Sequence, residues 1–507
     1  MVRLTKPSLH FVEDRGGRAA FHAPAMKLCL AFLLPLPLLA ADALPDPAAV
    51  TAAMKKAVAA YQEKLSVHGG YASGWKADLS AGITEHKESP TVISIQPPGT
   101  TTMGLALVKA WRATGEAVFL KAARAAAGAL MECQLSSGGW DSDFDFAQDK
   151  AKNYHLRAHV LAGDTEPGKR RSRSTLDDNK TQSALLFLLE LAHLPECKDD
   201  AELHAALKYG MDAVLGAQFP NGAWPQQFSG PADPATPVKK ASYPAQWQRE
   251  FPAVKYDGFY TLNDGNMEKL VQLMLRAHDL TGDKRYLESA KKAGEFFIMA
   301  QMPEPQPAWA QQYNFDMEPV WARKFEPPSV SGSESTGVMR ALLELWTVTG
   351  EERFLRPIPA ALKWFEGRAL PDGRYARFYE LRTDKPLYFV KDTYELTYDD
   401  SNLPTHYGFK VDQAKSLAGV RKLLETPREK LLADRAGPGS EKSWASKAKG
   451  AAGKAQRALA ALGADGLWRE EDGGLDARDF EEHMNAMSAY TEGARQGGEA
   501  FAKLRAE

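Results

Sequence analysis

The sequence predicts a mainly α-helical fold of repeated helical hairpins, which stack into a solenoid or close into an α/α toroid. Apolar residues recur at three-to-four spacing after a repeated Thr-Gly pair, and each such stretch ends in a Gly/Pro-rich loop that holds an aromatic residue. The alternation that is typical of strands is sparse. We therefore expect long loops on one face of a helical bundle and a small β-hairpin.

The repeated unit begins at Thr114, Thr281 and Thr349, where three segments align without gaps. The spacing of apolar residues after each Thr-Gly pair predicts an amphipathic helix, and a second helix precedes it, as in residues 267–280. Two aromatic stretches, residues 375–381 and 386–390, predict the small hairpin. The aromatic loops are Gly138-Gly139-Trp140, Gly222-Ala223-Trp224, Pro307-Ala308-Trp309 and Gly373-Arg374-Tyr375, with a weaker copy at Gly69-Gly70-Tyr71.

The composition excludes several classes of protein. Of the 507 residues, 44% are hydrophobic and 25% are charged, which is typical of globular proteins and not of fibrous, disordered or polytopic membrane proteins. The 63 Lys and Arg against 65 Asp and Glu leave a net charge of −2, so no global positive field is available to hold a nucleic acid. The 3 cysteines lack the spacing of zinc ligands, which argues against structural zinc.

An apolar run at residues 26–43 begins with Met26 and ends in an Ala-x-Ala pattern. It is too short and too interrupted by proline for a membrane span, and it is typical of a secretory signal peptide cleaved after about Ala43. Residues 1–25 would then be an upstream extension, and the mature protein would be secreted or periplasmic and outside the membrane. The alternative is an N-terminal membrane anchor. Cleavage would leave Cys133 and Cys197, which could pair in an oxidising compartment.

The mature chain divides into two predicted regions. Residues 44–425 contain the repeats and form the expected toroidal domain. Residues 426–507 are rich in Ala, Lys and Glu, with turn signals at 437–439 and 473–474. This pattern indicates a C-terminal extension of two or three helices, to which we assign no chemistry.

Polar boxes precede the second helix of three hairpins and contain Asp177, Asp264 and Glu334. Helix capping explains one polar residue in each box. It does not explain an acid in all three, at positions that converge on one face of a toroid. Carboxylates gathered in this way suit Ca²⁺, which takes about six to eight oxygen ligands.

Two further segments combine aromatic, amide and charged side chains without helical periodicity, at residues 308–328 and 374–380. This composition is typical of surfaces that stack sugars and bind carboxylates, and arginine matches a carboxylate with its planar fork. The alternative is a packed loop around buried tryptophans. The candidate residues in these segments are Gln312, Tyr313, Arg323, Glu326, Arg374 and Arg377.

Five motifs occur in a fixed order along the chain. They are Gly-Ala-Trp-Pro-Gln-Gln-Phe at 222–228, Thr-Leu-Asn-Asp-Gly at 261–265, Trp-Ala-Arg-Lys-Phe-Glu-Pro at 321–327, Ser-Gly-Ser-Glu-Ser at 331–335 and Ala-Arg-Phe-Tyr-Glu at 376–380. In this order they resemble the family-10 pectate lyases, which are polysaccharide lyases. The resemblance extends from about Pro97 to about Val411 and implies an incomplete α/α barrel, the toroidal form of the predicted fold.

The resemblance implies cleavage of polygalacturonate by calcium-assisted β-elimination, with Arg377 as the base. The implied metal ligands are Asp177, Asp264 and Glu326. The implied substrate-binding residues are Asp177, Asn263, Gln312, Tyr313, Arg323, Glu334 and Arg374. The box at Asp177 departs from the family, because it reads Asp-Asp-Asn-Lys where Asp-Asn-Gly is usual. The first Gly-Gly-Trp loop continues as Asp-Ser-Asp-Phe-Asp where the family commonly has Pro-Lys, and the insertion at residues 230–260 is long.

β-Elimination removes the C5 proton of a uronate and expels the C4 oxygen. A divalent cation on the carboxylate neutralises it and stabilises the enolate-like charge that develops. The ordinary pKa of arginine exceeds about 12, so an arginine base predicts a rate that rises with pH above neutrality. An optimum near about pH 5 would favour a pair of carboxylates instead.

Two other interpretations stay open at the level of sequence. Asp177 and Asp264 could be the acid and base of a glycoside hydrolase on an α/α barrel. Alternatively, the acids and aromatics could only hold a glycan in a secreted, non-catalytic binding protein. In the favoured interpretation the partner is acidic polygalacturonate, the cofactor is Ca²⁺, and we expect a monomer.

Overall fold

Helices form most of the regular structure in the computed structural model, which describes residues 44–506. The predicted extension and signal peptide, residues 1–43, lie outside the described residues. Within residues 44–506, no helix is both long and apolar enough to cross a membrane. Cys133 and Cys197 are both buried and unpaired. The helices are α1 Pro47–Lys64, α2 Thr100–Thr114, α3 Ala117–Glu132, α4 Gln148–Ala151, α5 Arg157–Leu161, α6 Lys180–Ala192, α7 Ala201–Gly216, α8 Asn266–Thr281, α9 Lys284–Ala300, α10 Gly332–Thr349, α11 Ile358–Phe365, α12 Ala414–Glu425, α13 Arg428–Ala436, α14 Glu441–Ala461 and α15 Ala477–Ala506.

The helices form an inner and an outer layer. The inner helices contact one another in the order α15, α2, α6, α8, α10 and α12, while α14, α3, α7 and α9 pack behind the first four of them. An inner helix is surrounded by other elements, and nearly every residue of α6 is accordingly buried. The fold is therefore mainly α and forms an α/α toroid, which confirms the predicted fold class.

The same hydrogen bonds recur in successive repeats and explain the glutamines that precede the aromatic loops. Each of these glutamines donates two hydrogen bonds from Nε2, and the first goes to a carbonyl of its own loop. The second goes to a carbonyl of the next outer helix for Gln134 and Gln218, and to Pro357, the residue before α11, for Gln301. The tryptophans of these loops are buried, and each donates from Nε1 to a carbonyl of the preceding helix. These residues therefore tie helix ends to loops and have a structural role.

Glycine is required where these loops approach the next outer helix. Gly222 has a φ of +93°, and a Cβ atom there would lie 2.0 Å from the carbonyl oxygen of Lys292. Gly138 has a φ of +103°, and its Cβ atom would lie 2.3 Å from the Cβ of Ala213. Both the left-handed backbone and the lack of space exclude a side chain.

Short antiparallel strands lie where the inner helices begin. Strands β4, β6, β8 and β10 each precede an inner helix and pair with β5, β7, β9 and β12. The predicted hairpin is β12 and β13, in which Phe378 lies opposite Leu387. The polar boxes therefore lie at the starts of inner helices. The strands are β1 Gly74–Trp75, β2 Gly82–Ile83, β3 Glu88–Ser89, β4 Val92–Ser94, β5 Asp143–Asp145, β6 Ser174–Thr175, β7 Gln227–Phe228, β8 Tyr260–Thr261, β9 Gln312–Tyr313, β10 Ser329–Ser331, β11 Tyr375–Ala376, β12 Phe378–Glu380, β13 Pro386–Phe389, β14 Leu396–Thr397, β15 Lys410–Val411 and β16 Leu475–Asp476.

The C-terminal residues 426–507, predicted as a helical extension, contain α13, α14 and α15. They repeat the pattern of the earlier hairpins, because Trp468 donates from Nε1 to the carbonyl of Ala458 in α14. Strand β16 pairs with β1 and leads directly into α15, which packs against α1 and α2. In the structure this region therefore supplies an outer and an inner helix of the toroid.

Candidate active site

Two matching turns, immediately before α6 and α8, bring carboxylates together. Each is a 3-10 segment, Asp177–Asn179 and Asn263–Gly265, and the two segments contact each other. The central residue of each is an aspartate with a left-handed backbone, φ +47° at Asp178 and +52° at Asp264. This conformation is uncommon for residues other than glycine. One carboxylate oxygen from each of Asp177, Asp178 and Asp264 lies within 4.8 Å of the others.

The atoms of these turns fit a calcium ion. The three aspartates offer only oxygen ligands, which Ca²⁺ prefers. Oδ1 of Asp177 and Oδ1 of Asn263 are buried without a hydrogen-bond partner, a costly state that a bound ligand would relieve. Asn263 also donates from Nδ2 to Asp264 at 2.7 Å, which fixes that carboxylate. The residues that would hold Ca²⁺ are therefore Asp177, Asp178 and Asp264.

A lysine ammonium lies against the same acids. Nζ of Lys180 is 3.3 Å from Oδ2 of Asp178 and 3.9 Å from Oδ2 of Asp177, and the lysine side chain is only 5% exposed. Neither Asp178 nor Lys180 was among the predicted site residues. A gapless alignment of Thr-Leu-Asp-Asp at 175–178 with Thr-Leu-Asn-Asp at 261–264 would have matched Asp178 to Asp264.

Arg377 lies between β11 and β12 and contacts Asp264, one of the three aspartates. Its Nη2 lies 3.5 Å from Oδ1 of Asp264 and 3.5 Å from Oε1 of Glu334. Its guanidinium carbon lies 4.3 Å from the centre of the Tyr407 ring. The side chain is 13% exposed, and Nε has no hydrogen-bond partner. Because the contacts to the acids are longer than good hydrogen bonds, the guanidinium keeps donors for a ligand.

The surroundings change the proton affinities of these groups. Desolvation by burial, reinforced by the charge of Glu334, raises the pKa of Asp264 to about 6, although 37% of its side chain is exposed. Burial, together with the charge of Asp178, raises the pKa of Asp177. Burial alone would lower the pKa of Arg377, but the charges of Glu334 and Asp264 outweigh it, so that pKa is raised. The acids therefore hold Arg377 as a cation.

A second arginine is tightly paired nearby. Arg323 donates from Nε and Nη2 to the two oxygens of Glu326 at 2.8 and 2.6 Å, and the Tyr407 hydroxyl donates to Glu326 at 2.9 Å. Burial would raise the pKa of Glu326, but Arg323 outweighs burial and lowers it. Among the described residues, Glu326 lies outside the group of three aspartates. Its role as a metal ligand stays a prediction.

The other predicted binding residues have different surroundings. Arg374 is exposed and donates to Asp372 from Nε and Nη2 at 3.0 and 2.7 Å. Gln312 is buried in β9. Tyr313 is fully buried, and its hydroxyl is satisfied by two backbone groups at 2.7 Å. Tyr313 therefore lies in the interior, where it fixes the loop.

The chain matches the family model described as pectic acid lyase over residues 146–409, more than half of its length. The chain belongs to the pectic acid lyase family. This confirms the resemblance that the order of motifs predicted. The match includes the three aspartates, both arginines and both glutamates of the site. None of the curated proteins compared matches the chain.

Several solved structures are similar to this pectic acid lyase family member. A mutant family 10 polysaccharide lyase from Cellvibrio cellulosa, in complex with trigalacturonic acid, has 18% identity and a TM-score of 0.45, with 64% of this chain and 99% of that chain covered. A D-mannose isomerase has 14% identity, coverage of 75% and 97%, and a TM-score of 0.42. The GH76A α-1,6-mannanase from Salegentibacter sp. HEL1_6 has 12% identity, coverage of 88% and 99%, and a TM-score of 0.38.

Proposed function

We propose that this protein cleaves polygalacturonate by β-elimination, with Arg377 as the base and Ca²⁺ held by the aspartates of the two turns. The observation that supports this most is the placement of Arg377 in a member of the pectic acid lyase family. Its guanidinium is mostly buried, only loosely paired, and in contact with one of the three gathered aspartates. A guanidinium in that position can bind a uronate while it is charged, and in its neutral form it can accept a proton from the uronate.

The residues around Arg377 have separable roles in this reaction. In its neutral form Arg377 takes the C5 proton, and the electrons of the C5–H bond form the C4–C5 double bond. The C4 oxygen leaves with the electrons of the C4–O bond and is protonated by water. Glu334 and Asp264 orient its guanidinium, and the ring of Tyr407 covers one of its faces. When bound, Ca²⁺ would neutralise the uronate carboxylate and stabilise the negative charge that develops in the transition state.

The protonation of Arg377 determines how the rate responds to pH. The neighbouring acids raise the pKa of Arg377 above the ordinary value for arginine, so only a small fraction is neutral near pH 7. A base acts in its deprotonated form, and the rate therefore increases as the pH rises.

The test is to incubate the purified protein with polygalacturonate and to follow the near-ultraviolet absorbance of the unsaturated product, with Ca²⁺ and with a chelator. Product is expected with Ca²⁺, and the chelator is expected to abolish it. The Arg377→Ala variant is expected to be inactive. Arg421→Ala is the matched control, because the Arg421 side chain is partly exposed and, among residues 44–506, forms an ion pair with the exposed Glu366 alone. The absence of product from any uronan would overturn the proposal.

The same assay separates the two other interpretations. A glycoside hydrolase that used Asp177 and Asp264 would release reducing ends without the unsaturated product. A glycan-binding protein would bind the polymer without turnover, and Arg377→Ala would leave that binding unchanged. We further propose that the enzyme acts outside the cytoplasm, on the basis of the signal segment at residues 26–43.

A further inference from the structure

The two turns that hold the acids are followed by different residues. Lys180 is the first residue of α6, and Asn266 is the first residue of α8 at the equivalent position. Asn266 is neutral, and its Oδ1 accepts a hydrogen bond from Gln182 at 2.9 Å. Lys180 instead directs its ammonium to the two acids of its own turn. The two turns therefore share a backbone conformation, but only the first is followed by a positively charged residue.

Lys180 is confined to this position. Its side chain is 5% exposed, and its nearest carboxylate oxygen is Oδ2 of Asp178, to which it donates at 3.3 Å. Burying an ammonium is energetically costly unless it is paired with a carboxylate. The contact with two carboxylates therefore holds the ammonium where it lies, among the oxygens that would bind a metal.

The Lys180 ammonium does not pair with all of the carboxylate oxygens of the three aspartates. Oδ1 of Asp177 is buried and unpartnered, and Asp264 makes no ion pair with Lys180. The site thus keeps free oxygen ligands for a cation while it already contains one positive charge. A second cation would share Asp177 and Asp178 with the ammonium and would be repelled by it.

We propose that Lys180 is a built-in cation that competes with Ca²⁺ for the carboxylates of Asp177 and Asp178 and thereby keeps the calcium affinity of the site low. The inference rests on the proposed function for the identity of the metal. Loss of the lysine charge makes the net charge of the site more negative by one. We expect the calcium affinity to rise by on the order of tenfold or more, because the charges lie only a few ångströms apart.

The test is calorimetric titration of Ca²⁺ into metal-free protein. Lys180→Gln and Lys180→Met are expected to bind Ca²⁺ at least about tenfold more tightly than the wild type. Lys180→Arg keeps the charge and is expected to bind like the wild type. Lys269→Gln is the matched control, because it removes a lysine from the neighbouring α8 whose ammonium contacts Gln272. Equal or weaker binding by both neutral variants would overturn the inference.

A second measurement covers the case in which the neutral variants are less stable. Each protein is melted with and without Ca²⁺, and the rise in Tm reports binding to the folded state. Calcium is expected to raise the Tm of the neutral variants by more than it raises that of the wild type. An equal or smaller rise counts against the inference.

The lyase assay distinguishes failure of this inference from failure of the proposed function. Tighter calcium binding by Lys180→Gln without unsaturated product from any protein would support the inference and contradict the proposed function. Calcium-dependent product from the wild type, together with unchanged calcium affinity in both neutral variants, would support the proposed function and contradict the inference about Lys180.

Discussion

Arg323 and Arg377 both contact Tyr407, but their surroundings differ. Arg323 donates two short hydrogen bonds to the buried Glu326. Arg377 has only 3.5 Å contacts to Asp264 and Glu334, and its Nε has no partner. From this difference we infer that an arginine held by a single carboxylate through a bidentate pair stabilises the local structure. One held loosely between two acids remains available for chemistry.

The largest effect is expected from Arg377→Ala, which removes the proposed base. A positioned base contributes about 10²–10⁴-fold to a rate, so we expect a loss of roughly 10³-fold or more in kcat. The initial rate of unsaturated product formation measures it. An Arg377→Ala variant with more than about a tenth of the wild-type kcat would show that the two arginines do not differ in this way.

Asp264→Asn is expected to reduce the rate by on the order of 10²-fold, since Asp264 both contacts Arg377 and belongs to the group of three aspartates. Calcium titration of this variant is expected to show weaker binding. Asp434→Asn, on the exposed surface of α13, is the control. If Asp264→Asn has the rate and the calcium affinity of the wild type, Asp264 has no role in catalysis or calcium binding.

The pH dependence of kcat tests Arg377 as the base without a mutation. Because the acids raise the pKa of Arg377 and the neutral form is the base, kcat is expected to rise about tenfold per pH unit above neutrality. Initial rates in overlapping buffers measure this slope. A maximum near about pH 5 with a fall on the alkaline side would favour a pair of carboxylates as the acid and base.

Glu326→Gln is expected to reduce activity only severalfold and to cost about 1–3 kcal/mol of stability, because it removes charge-assisted hydrogen bonds from Arg323. Glu326 has a lowered pKa in the folded protein, so its stabilising effect is present above its unfolded pKa and disappears as the pH falls through the folded value. Urea unfolding should therefore show the difference from wild type shrinking in acid. Calcium titration of the same variant tests Glu326 as a ligand, and unchanged affinity would exclude it.

The smallest kinetic effect is expected for Tyr313→Phe. Its buried hydroxyl donates to the carbonyl of Ala300 and accepts from Ala310, so the loss should cost about 1–3 kcal/mol of stability. Because Tyr313 is fully buried, KM should stay at the wild-type value. A large rise in KM with unchanged stability would place Tyr313 on the substrate instead.

Much of the fold could be predicted because it depends on local patterns. Glutamine, glycine and tryptophan recur at fixed offsets because they form the hydrogen bonds that tie each helix end to its loop, as at Gln218 and Trp224. The role of residues 426–507 could not be predicted in this way, because it depends on β16 pairing with a strand near the start of the domain.

The site was only partly predictable for similar reasons. Asp177, Asp264, Glu334 and Arg377 stood out as charges in repeated boxes or arginine-rich motifs. Asp178 could have been found by comparing the two turns residue by residue. The stacking of Tyr407 on Arg377 depends on the pairing of β11 with β15, and no spacing in the sequence shows that.

The most direct test of the proposed function is the calcium-dependent formation of unsaturated product from polygalacturonate by the wild type, Arg377→Ala and Arg421→Ala. We expect product from the wild type and Arg421→Ala, none above background from Arg377→Ala, and none from any protein with a chelator. Reducing ends without unsaturated product, or equal activity in all three proteins, would contradict the assignment of Arg377 as the base of a lyase.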